Sequence, residues 1–522
     1  MDAPAVLPFR DLPSLVAEHA RLRPNAPAVR AGDEALDYAG FDALIDRVSA
    51  ALQRDGSGPG DVVALCAASS IAYVAVFVGA LRAGLAVAPL APGSTVAQLA
   101  GMALDAGARH VFIDADVAAA QVPWPAAAQV LRLDESAGSA CLASWLAPAG
   151  SRPATVAIDP AWPFNIIYSS GTTGTPKGIV QPHAMRWAHV QRAALSGYGS
   201  DTVTLVATPL YSNTTLVAVV PTLAHGGCLV LMPKFEAAAY LQLAQKHRIT
   251  HGMLVPVQYQ RLMARLDFDR FDLSSFRFKF CTSAPFHAEL KADVLRRWPG
   301  ALVEYYGMTE GGGTCVLQAH LHPDKLHTVG QPAEGHDVRL IDEQGAEVPR
   351  KPGGASVASG EVVGRSAGMM SGYHRQPAKT AEAEWHDAEG QRYIRTGDVG
   401  RFDEDGFLVL QDRRKDMVIS GGFNIYPSDL EAVLRQHPAV AEAAVVGVPS
   451  QEWGETPVAF ITLRPGATEL AADICQWANS QVGKTQRLSA IRELGELPRN
   501  AIGKVLKREL RDAWLRDAEV KP

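Results

Sequence analysis

The chain has 522 residues, of which 47% are hydrophobic and 20% charged, and its formal net charge is −6. These proportions suit a large globular enzyme and argue against a disordered chain, and the even spread of charge leaves no nucleic-acid footprint. At about 150 residues per domain, the length implies three or four structural units.

The elements in chain order alternate. Leu12 to Arg23 has the apolar rhythm of a helix, Ala28 to Tyr38 that of a hairpin turning at Gly32-Asp33, and Leu44 to Leu52 a second helix. Val62 to Ala67 reads as a strand, Ile71 to Ala83 as a small-residue helix, Gly84 to Pro89 as a strand, Ala97 to Ala106 as a helix and His110 to Ile113 as a strand. Pro123 to Pro160, rich in Ala and Pro, reads as a loose surface crossover. The alternation resumes with helices over Ala184 to Leu195, Ala237 to Lys246 and His287 to Trp298. Strands are expected over Val203 to Thr208, His251 to Val255, Phe278 to Thr282 and Leu302 to Tyr306. Such alternation predicts an α/β fold with a largely parallel, two-sided sheet, and ligands in such sheets bind at the carboxyl ends of strands. Three of those ends here carry Ser/Thr/Gly clusters.

From about Gly335 the pattern changes to hairpins, with turn signals at Asp342 to Gly345, Pro352 to Gly354, Asp387 to Gly390 and Asp403 to Gly406. A β-rich subdomain is expected over about 335–410. The final residues, from about Arg414, carry helices at Ser428 to Arg435 and Ala471 to Gln481, with strands at Ala443 to Gly447 and Val458 to Leu463, enough for a separate α+β domain. The six cysteines lie far apart with no metal-ligand or redox spacing, which reads as reduced thiols of a cytoplasmic protein. No signal peptide is read at the N-terminus, and the longest apolar runs are too short to span a bilayer.

One stretch concentrates the chemistry. After the apolar run Phe164 to Tyr168 come Ser169, Ser170, Gly171, Thr172, Thr173, Gly174, Thr175, Pro176, Lys177 and Gly178. Glycines let backbone N–H groups approach an anion, hydroxyls add donors, and Lys177 adds charge, so this loop is suited to wrapping a polyphosphate. It is not a Walker A loop, because a Pro precedes Lys177 and a Gly follows it.

This stretch resembles the phosphate loop of the adenylate-forming (AMP-binding) superfamily, in its acyl-CoA synthetase or aryl- and fatty-acid–CoA ligase branch. Five further motifs follow in the family's order, and the resemblance covers about residues 10–515. Tyr306-Gly307-Met308-Thr309-Glu310 resembles the second signature: Tyr306 and Gly307 would meet the adenine, Thr309 the phosphate, and Glu310 would be a hard ligand for Mg²⁺. Asp398, in Thr396-Gly397-Asp398, would hold both ribose hydroxyls. Arg413 would touch ribose and phosphate, and Lys415 resembles the hinge. Gly421 and Gly422 would line a pantetheine tunnel, with Trp453 beside it and Lys484 near the CoA phosphates. Lys504, in Pro498-Arg499-Asn500-Ala501-Ile502-Gly503-Lys504, resembles the catalytic lysine that balances charge as a carboxylate attacks the α-phosphate.

The resemblance implies a large N-terminal domain, residues 1–413, of two mixed or parallel sheets flanked by helices plus the β-rich subdomain. A small mobile C-terminal domain, residues 414–522, would turn about Lys415. It implies an ATP-dependent acid–CoA ligase that forms acyl-AMP, releases pyrophosphate, and passes the acyl group to CoA. ATP, Mg²⁺, CoA and a carboxylic acid are the expected partners, with no nucleic acid and a homodimer left open. The acyl pocket is expected from Tyr211, Ser212, Val255, Ser283, Ala284, Gly311 and Gly312. Ser212 stands where many relatives carry His. The small pocket residues leave room for an alkyl chain or an aryl ring, and no acidic residue stands out for an amino acid's ammonium. The alternative keeps adenylation and loads a carrier protein.

Overall fold

The structure, a computed structural model, describes residues 7–134, 140–169, 177–351, 353–413, 416–420, 423–450, 454–483, 486–500 and 503–519. It divides into two compact units, residues 1–337 with 364–394, and residues 338–363 with 395–522.

The first unit holds two sheets. One has nine strands in the order Gln331–Pro332, Cys315–Gln318, Ala301–Tyr306, Phe278–Cys281, His251–Leu254, Val203–Val206, Cys228–Leu231, Pro27–Ala31 and Glu34–Asp37. Neighbours from Ala301–Tyr306 through to Pro27–Ala31 run parallel, and antiparallel strands close both edges. The other has seven strands, ordered Gly372–Tyr373, Lys177–Pro182, Pro163–Ser169, Ala86–Pro89, Val62–Cys66, Ala108–Ile113 and Gln129–Arg132. Its first two pairings are antiparallel and the rest parallel.

Apolar runs set this arrangement. All five residues of Val62–Cys66 are buried, as a strand covered on both faces requires. The Ile71–Arg82 helix is apolar all round and buries residues 71 and 73–81. Gly79 in its middle is a packing demand, since a Cβ there would lie 2.6 Å from Val48 Cγ1. One apolar cluster draws on both sheets and on the helices Leu12–Leu22, Tyr38–Arg54, Ile71–Arg82 and Asn213–Ala224. A second covers the opposite face of the seven-stranded sheet, around Ala64, Ala88, Leu99, Met102 and Val111.

Two sequence expectations are corrected. The crossover 123–160 is not loose throughout: Gln129–Arg132 joins the sheet parallel to Ala108–Ile113, and a short helix Leu142–Trp145 buries Trp145. Trp145 packs on Phe112 and donates its indole N–H to Asp55 at 2.6 Å. Abundant Ala and Pro hid the few anchoring residues. The Asn213–Ala224 helix was also missed, because its Thr, Val and Pro221 are poor helix formers. Burial of ten of its residues overrides that propensity.

Three turns in the hairpin-rich region share one construction, an aspartate followed three residues later by a left-handed glycine. Asp342 Oδ1 accepts from the N–H groups of Gln344 and Ala346, Asp387 Oδ1 from Glu389 and Gln391, and Asp403 Oδ1 from Asp405 and Phe407. Gly345, Gly390 and Gly406 have φ of 82°, 74° and 77°. In the second unit, Arg392–Phe402 pairs antiparallel with Leu408–Arg413 around the Asp403 turn. Its last sheet has the strands Phe423–Ile425, Val418–Ser420, Gly454–Leu463 and Val440–Ser450, with Ala490–Glu493 added parallel to Gly454–Leu463. The helices Pro427–Arg435 and Ala471–Ser480 pack their apolar faces on it.

Candidate active site

The nine-stranded sheet gathers the predicted pocket residues and the Tyr306 to Glu310 motif at one edge. Val203–Val206, His251–Leu254, Phe278–Cys281 and Ala301–Tyr306 are adjacent and parallel, so their carboxyl ends are neighbours. Those ends deliver Tyr211 and Ser212, Val255, Ser283 and Ala284, and Tyr306 to Glu310 respectively.

Local chemistry fixes each one. Ser212 caps the Asn213–Ala224 helix by accepting from Thr214 N–H at 3.3 Å. Tyr211 is half-buried, and burial pushes its phenol up to about 12. Val255 is 3% exposed and precedes the Pro256–Met263 helix. Tyr259 in that helix is core, its hydroxyl donating to Phe280 O at 2.9 Å. Ser283 has φ of 82°, a strained conformation for a non-glycine residue, and its Oγ lies 2.5 Å from Thr214 Oγ1.

The loop after Tyr306 is stitched to residues 364–373. Met370 N–H donates to Glu310 O at 2.8 Å, Gly312 N–H to Gly368 O at 3.1 Å, and Ser366 Oγ to Gly312 O at 2.5 Å. Gly311 and Gly312 are glycines because backbone passes against them. A Cβ on Gly311 would lie 1.9 Å from Gly368 O, and one on Gly312 2.6 Å from Gly364 O. Their small size thus answers a backbone contact, a reason the sequence did not reveal. Thr314 N–H donates to His336 Nδ1 at 3.0 Å where the loop ends.

A buried polar network supports this loop from the seven-stranded sheet. Gln181, fully buried, donates to Thr309 O at 2.6 Å and to Asn213 Oδ1 at 3.3 Å. Its Oε1 accepts from Asn165 Nδ2 at 2.8 Å and from Arg186. All four hydrogen-bonding positions of the amide are used. Arg186 is 2% exposed and lies over the Phe164 ring. Burial pulls its guanidinium down to about 9, so it remains charged at neutral pH. Among the described residues it has no carboxylate partner. Asn165, Gln181 and Arg186 were absent from the sequence reading; a polar trio beside a buried strand was the available signal.

Lys177 opens the Lys177–Pro182 strand, paired with Ser169. It is half-buried, and among the described residues its ammonium meets only the Tyr373 ring, 5.1 Å from the centroid. Glu310 is also half-buried, and its one side-chain partner among the described residues is the Tyr373 hydroxyl, which donates to Oε1 at 2.9 Å. Among the described residues both charges thus lack a counter-ion. Among the described residues no group of three or more His, Cys, Asp or Glu is placed to hold a metal. A single half-buried carboxylate fits a Mg²⁺ that takes most of its oxygen ligands from phosphates and water.

In the second unit, Asp398 and Arg413 face each other across paired strands, and Gly397 before Asp398 has φ of 71°. Thr396 Oγ1 accepts from Asp398 N–H and donates to Val362 O. Lys504 lies on a turn built by its neighbours. Asn500 Oδ1 accepts from Lys504 N–H at 2.9 Å, and Asn500 N–H donates to Lys504 O at 2.9 Å. Arg499 anchors the turn by pairing with Glu442. Ser170, Gly171, Thr172, Thr173, Gly174, Lys415, Gly421, Gly422, Trp453 and Lys484 lie outside the described residues, as do the side chains of Ser169 and Arg413.

Comparison with known proteins agrees with this geometry. The family model described as AMP-binding enzyme matches residues 16–374, and that of the AMP-binding enzyme C-terminal domain matches residues 429–504. The chain is 33% identical over 509 residues to a feruloyl-CoA synthase of Amycolatopsis sp, covering 96% of this chain and 98% of that one. It is 31% identical over 514 residues to the fatty acid–[acyl-carrier-protein] ligase ScoC of Streptomyces coeruleorubidus, covering 96% of each. The crystal structure of ATP-bound MatB from Rhodopseudomonas palustris superposes with a TM-score of 0.86 at 29% identity, over 97% of this chain and 99% of that one. The chain belongs to the AMP-binding enzyme family, as an AMP-forming acid–thiol ligase.

Proposed function

We propose that this enzyme activates an alkyl or aryl monocarboxylate with ATP, forming acyl-AMP and pyrophosphate, and then passes the acyl group to CoA with release of AMP. The observation that carries the reading is a pair of opposite charges at strand ends, Lys177 and Glu310, that meet no counter-ion among the described residues. Lys177 offers an ammonium and Glu310 a carboxylate, and a magnesium–triphosphate would complement both. Bound Mg²⁺ would neutralise phosphate charge as the acid approaches. Lys177 and the hydroxyl-rich loop 169–174 hold the phosphates; Thr309 adds a hydroxyl; Tyr306 and Gly307 take the adenine; Asp398 and Arg413 take the ribose. Lys504 balances charge on the attacking carboxylate and α-phosphate. The two hydrogen bonds between Asn500 and Lys504 support that role, because a lysine acting in one half-reaction needs its backbone held. Residues 414–522 then act as the mobile domain, hinged at Lys415, and Gly421, Gly422, Trp453 and Lys484 receive CoA in the second step. Tyr211, Ser212, Val255, Ser283, Ala284, Gly311 and Gly312 border the acid.

The feruloyl-CoA synthase relative supports an aryl acid, and the ScoC relative supports the second reading, transfer to a carrier protein. The test is AMP release from ATP and Mg²⁺ across alkyl acids, benzoates and cinnamates, with and without CoA. CoA-dependent turnover is the expected result. Pyrophosphate exchange without CoA-dependent AMP release would replace CoA with another acceptor.

A further inference from the structure

Tyr373 is the one described side chain that touches both the Lys177 ammonium and the Glu310 carboxylate. Its segment already clamps their backbones. Gly372–Tyr373 pairs antiparallel with the strand that Lys177 opens, in the register Tyr373↔Ile179 and Gly372↔Val180. Met370, three residues earlier, donates its N–H to Glu310 O. Tyr373 N–H is in turn held by Thr380 Oγ1 at 2.9 Å, from the Pro377–Glu382 helix. The phenol is thus fixed from behind, with its hydroxyl on Glu310 and its ring under Lys177.

We infer that Tyr373 is a positioning residue for the magnesium nucleotide. Its hydroxyl occupies one oxygen of Glu310 and sets the rotation of the carboxylate, turning the other oxygen to the cation. Its ring seats the Lys177 ammonium by cation–π attraction without neutralising it, so the charge stays available to phosphate. A carboxylate in place of this tyrosine would pair with Lys177 and repel Glu310; a phenol serves both signs at once. The inference rests on the roles proposed for Glu310 and Lys177.

The test uses the full chain with Tyr373→Phe, which keeps the ring, and Tyr373→Leu, which removes ring and hydroxyl. Mn²⁺, standing in for Mg²⁺, is titrated by electron paramagnetic resonance in the presence of a non-hydrolysable ATP analogue. Binding of the analogue without metal is measured separately in EDTA. Tyr373→Phe is expected to weaken Mn²⁺ binding by about tenfold, the usual order for loss of a group that orients a metal ligand. It should leave metal-free analogue binding unchanged. Tyr373→Leu is expected to weaken the metal-free binding as well, by about two- to tenfold, the range of one cation–π contact. Wild-type Mn²⁺ affinity in Tyr373→Phe would overturn the hydroxyl's role. Equal metal-free binding in the Phe and Leu variants would overturn the ring's role. Glu310→Gln and Lys177→Ala separate the levels: if they change neither binding, the roles given to Glu310 and Lys177 fail and the inference falls with them. If they weaken binding while both Tyr373 variants match wild type, only the inference fails.

Discussion

Replacing Gln181 by Glu isolates what the buried network does for the site. The substitution keeps shape and keeps acceptors for Asn165 and Arg186. It also gives Arg186 the carboxylate it lacks, so overall stability should change little. What it removes is the donor to Thr309 O at 2.6 Å and to Asn213 Oδ1 at 3.3 Å. Asn213 can rotate its amide and donate instead, whereas the Thr309 carbonyl cannot. That carbonyl loses a bond worth about 0.5–1.5 kcal/mol and faces an anion, and leaving it unpaired costs about 1–3 kcal/mol. The loop carrying Thr309 and Glu310 must shift to relieve this. At about 1.4 kcal/mol per tenfold, kcat/KM for ATP should fall roughly 10- to 100-fold. Gln181→Leu should instead unfold more readily, by about 1–3 kcal/mol, because it takes an acceptor from a buried guanidinium that is left with Asn165 Oδ1. Steady-state kinetics beside urea unfolding separates the two effects. Wild-type kcat/KM in Gln181→Glu would refute the claim that Gln181 holds the loop.

Three further outcomes are expected. Lys504→Ala should abolish adenylate formation, read by pyrophosphate exchange, yet spare thioester formation from supplied acyl-adenylate; equal loss of both steps would refute its role. Burial pushes His183, His251 and His336 down to about 4. Unfolded histidines bind protons from about pH 6.5, so stability is complete above that and is lost as pH falls toward 4, by up to about 1.4 kcal/mol per unit for each. Glu304, buried and pushed up to about 7, works in the opposite sense, its contribution falling as pH rises from about 4.3 to 7. Three histidines outweigh one glutamate, so thermal midpoints should drop on acidification from pH 6.5 to 4.5; a flat profile would contradict the burial argument. Ser283→Gly should cost little, since relief of the positive φ, about 1–2 kcal/mol, offsets loss of the Thr214 bond, whereas Ser283→Ala keeps the strain and should be less stable by about that amount. Equal midpoints for the two variants would show that Ser283 is unstrained.

How far the site could be read from sequence follows from where its information lies. Residues proposed to meet a ligand sit in short local motifs, which a sequence displays directly. Thr309 and Glu310 lie just beyond the Ala301–Tyr306 strand, and Asp398 stands opposite Arg413 in the hairpin that turns at Asp403, past a register shift between Val399 and Gly400. The residues proposed to border the acid share one sequence signal: each lies beyond a parallel strand, and parallel neighbours bring their ends together. Residues that act on other residues were not legible. Gln181 reaches Thr309 across 128 positions, and Tyr373 reaches Glu310 across 63. Nothing local distinguishes a glutamine whose four hydrogen-bonding positions are filled from one facing water. Gly311 and Gly312 show the same limit from the other side. Their type was read as room for substrate, while the nearest atoms to their missing Cβ groups belong to Gly368 and Gly364. A local sequence can report which group a position offers. What that group must satisfy is decided by segments far along the chain, so the supporting layer of the site emerges only once the two sheets meet.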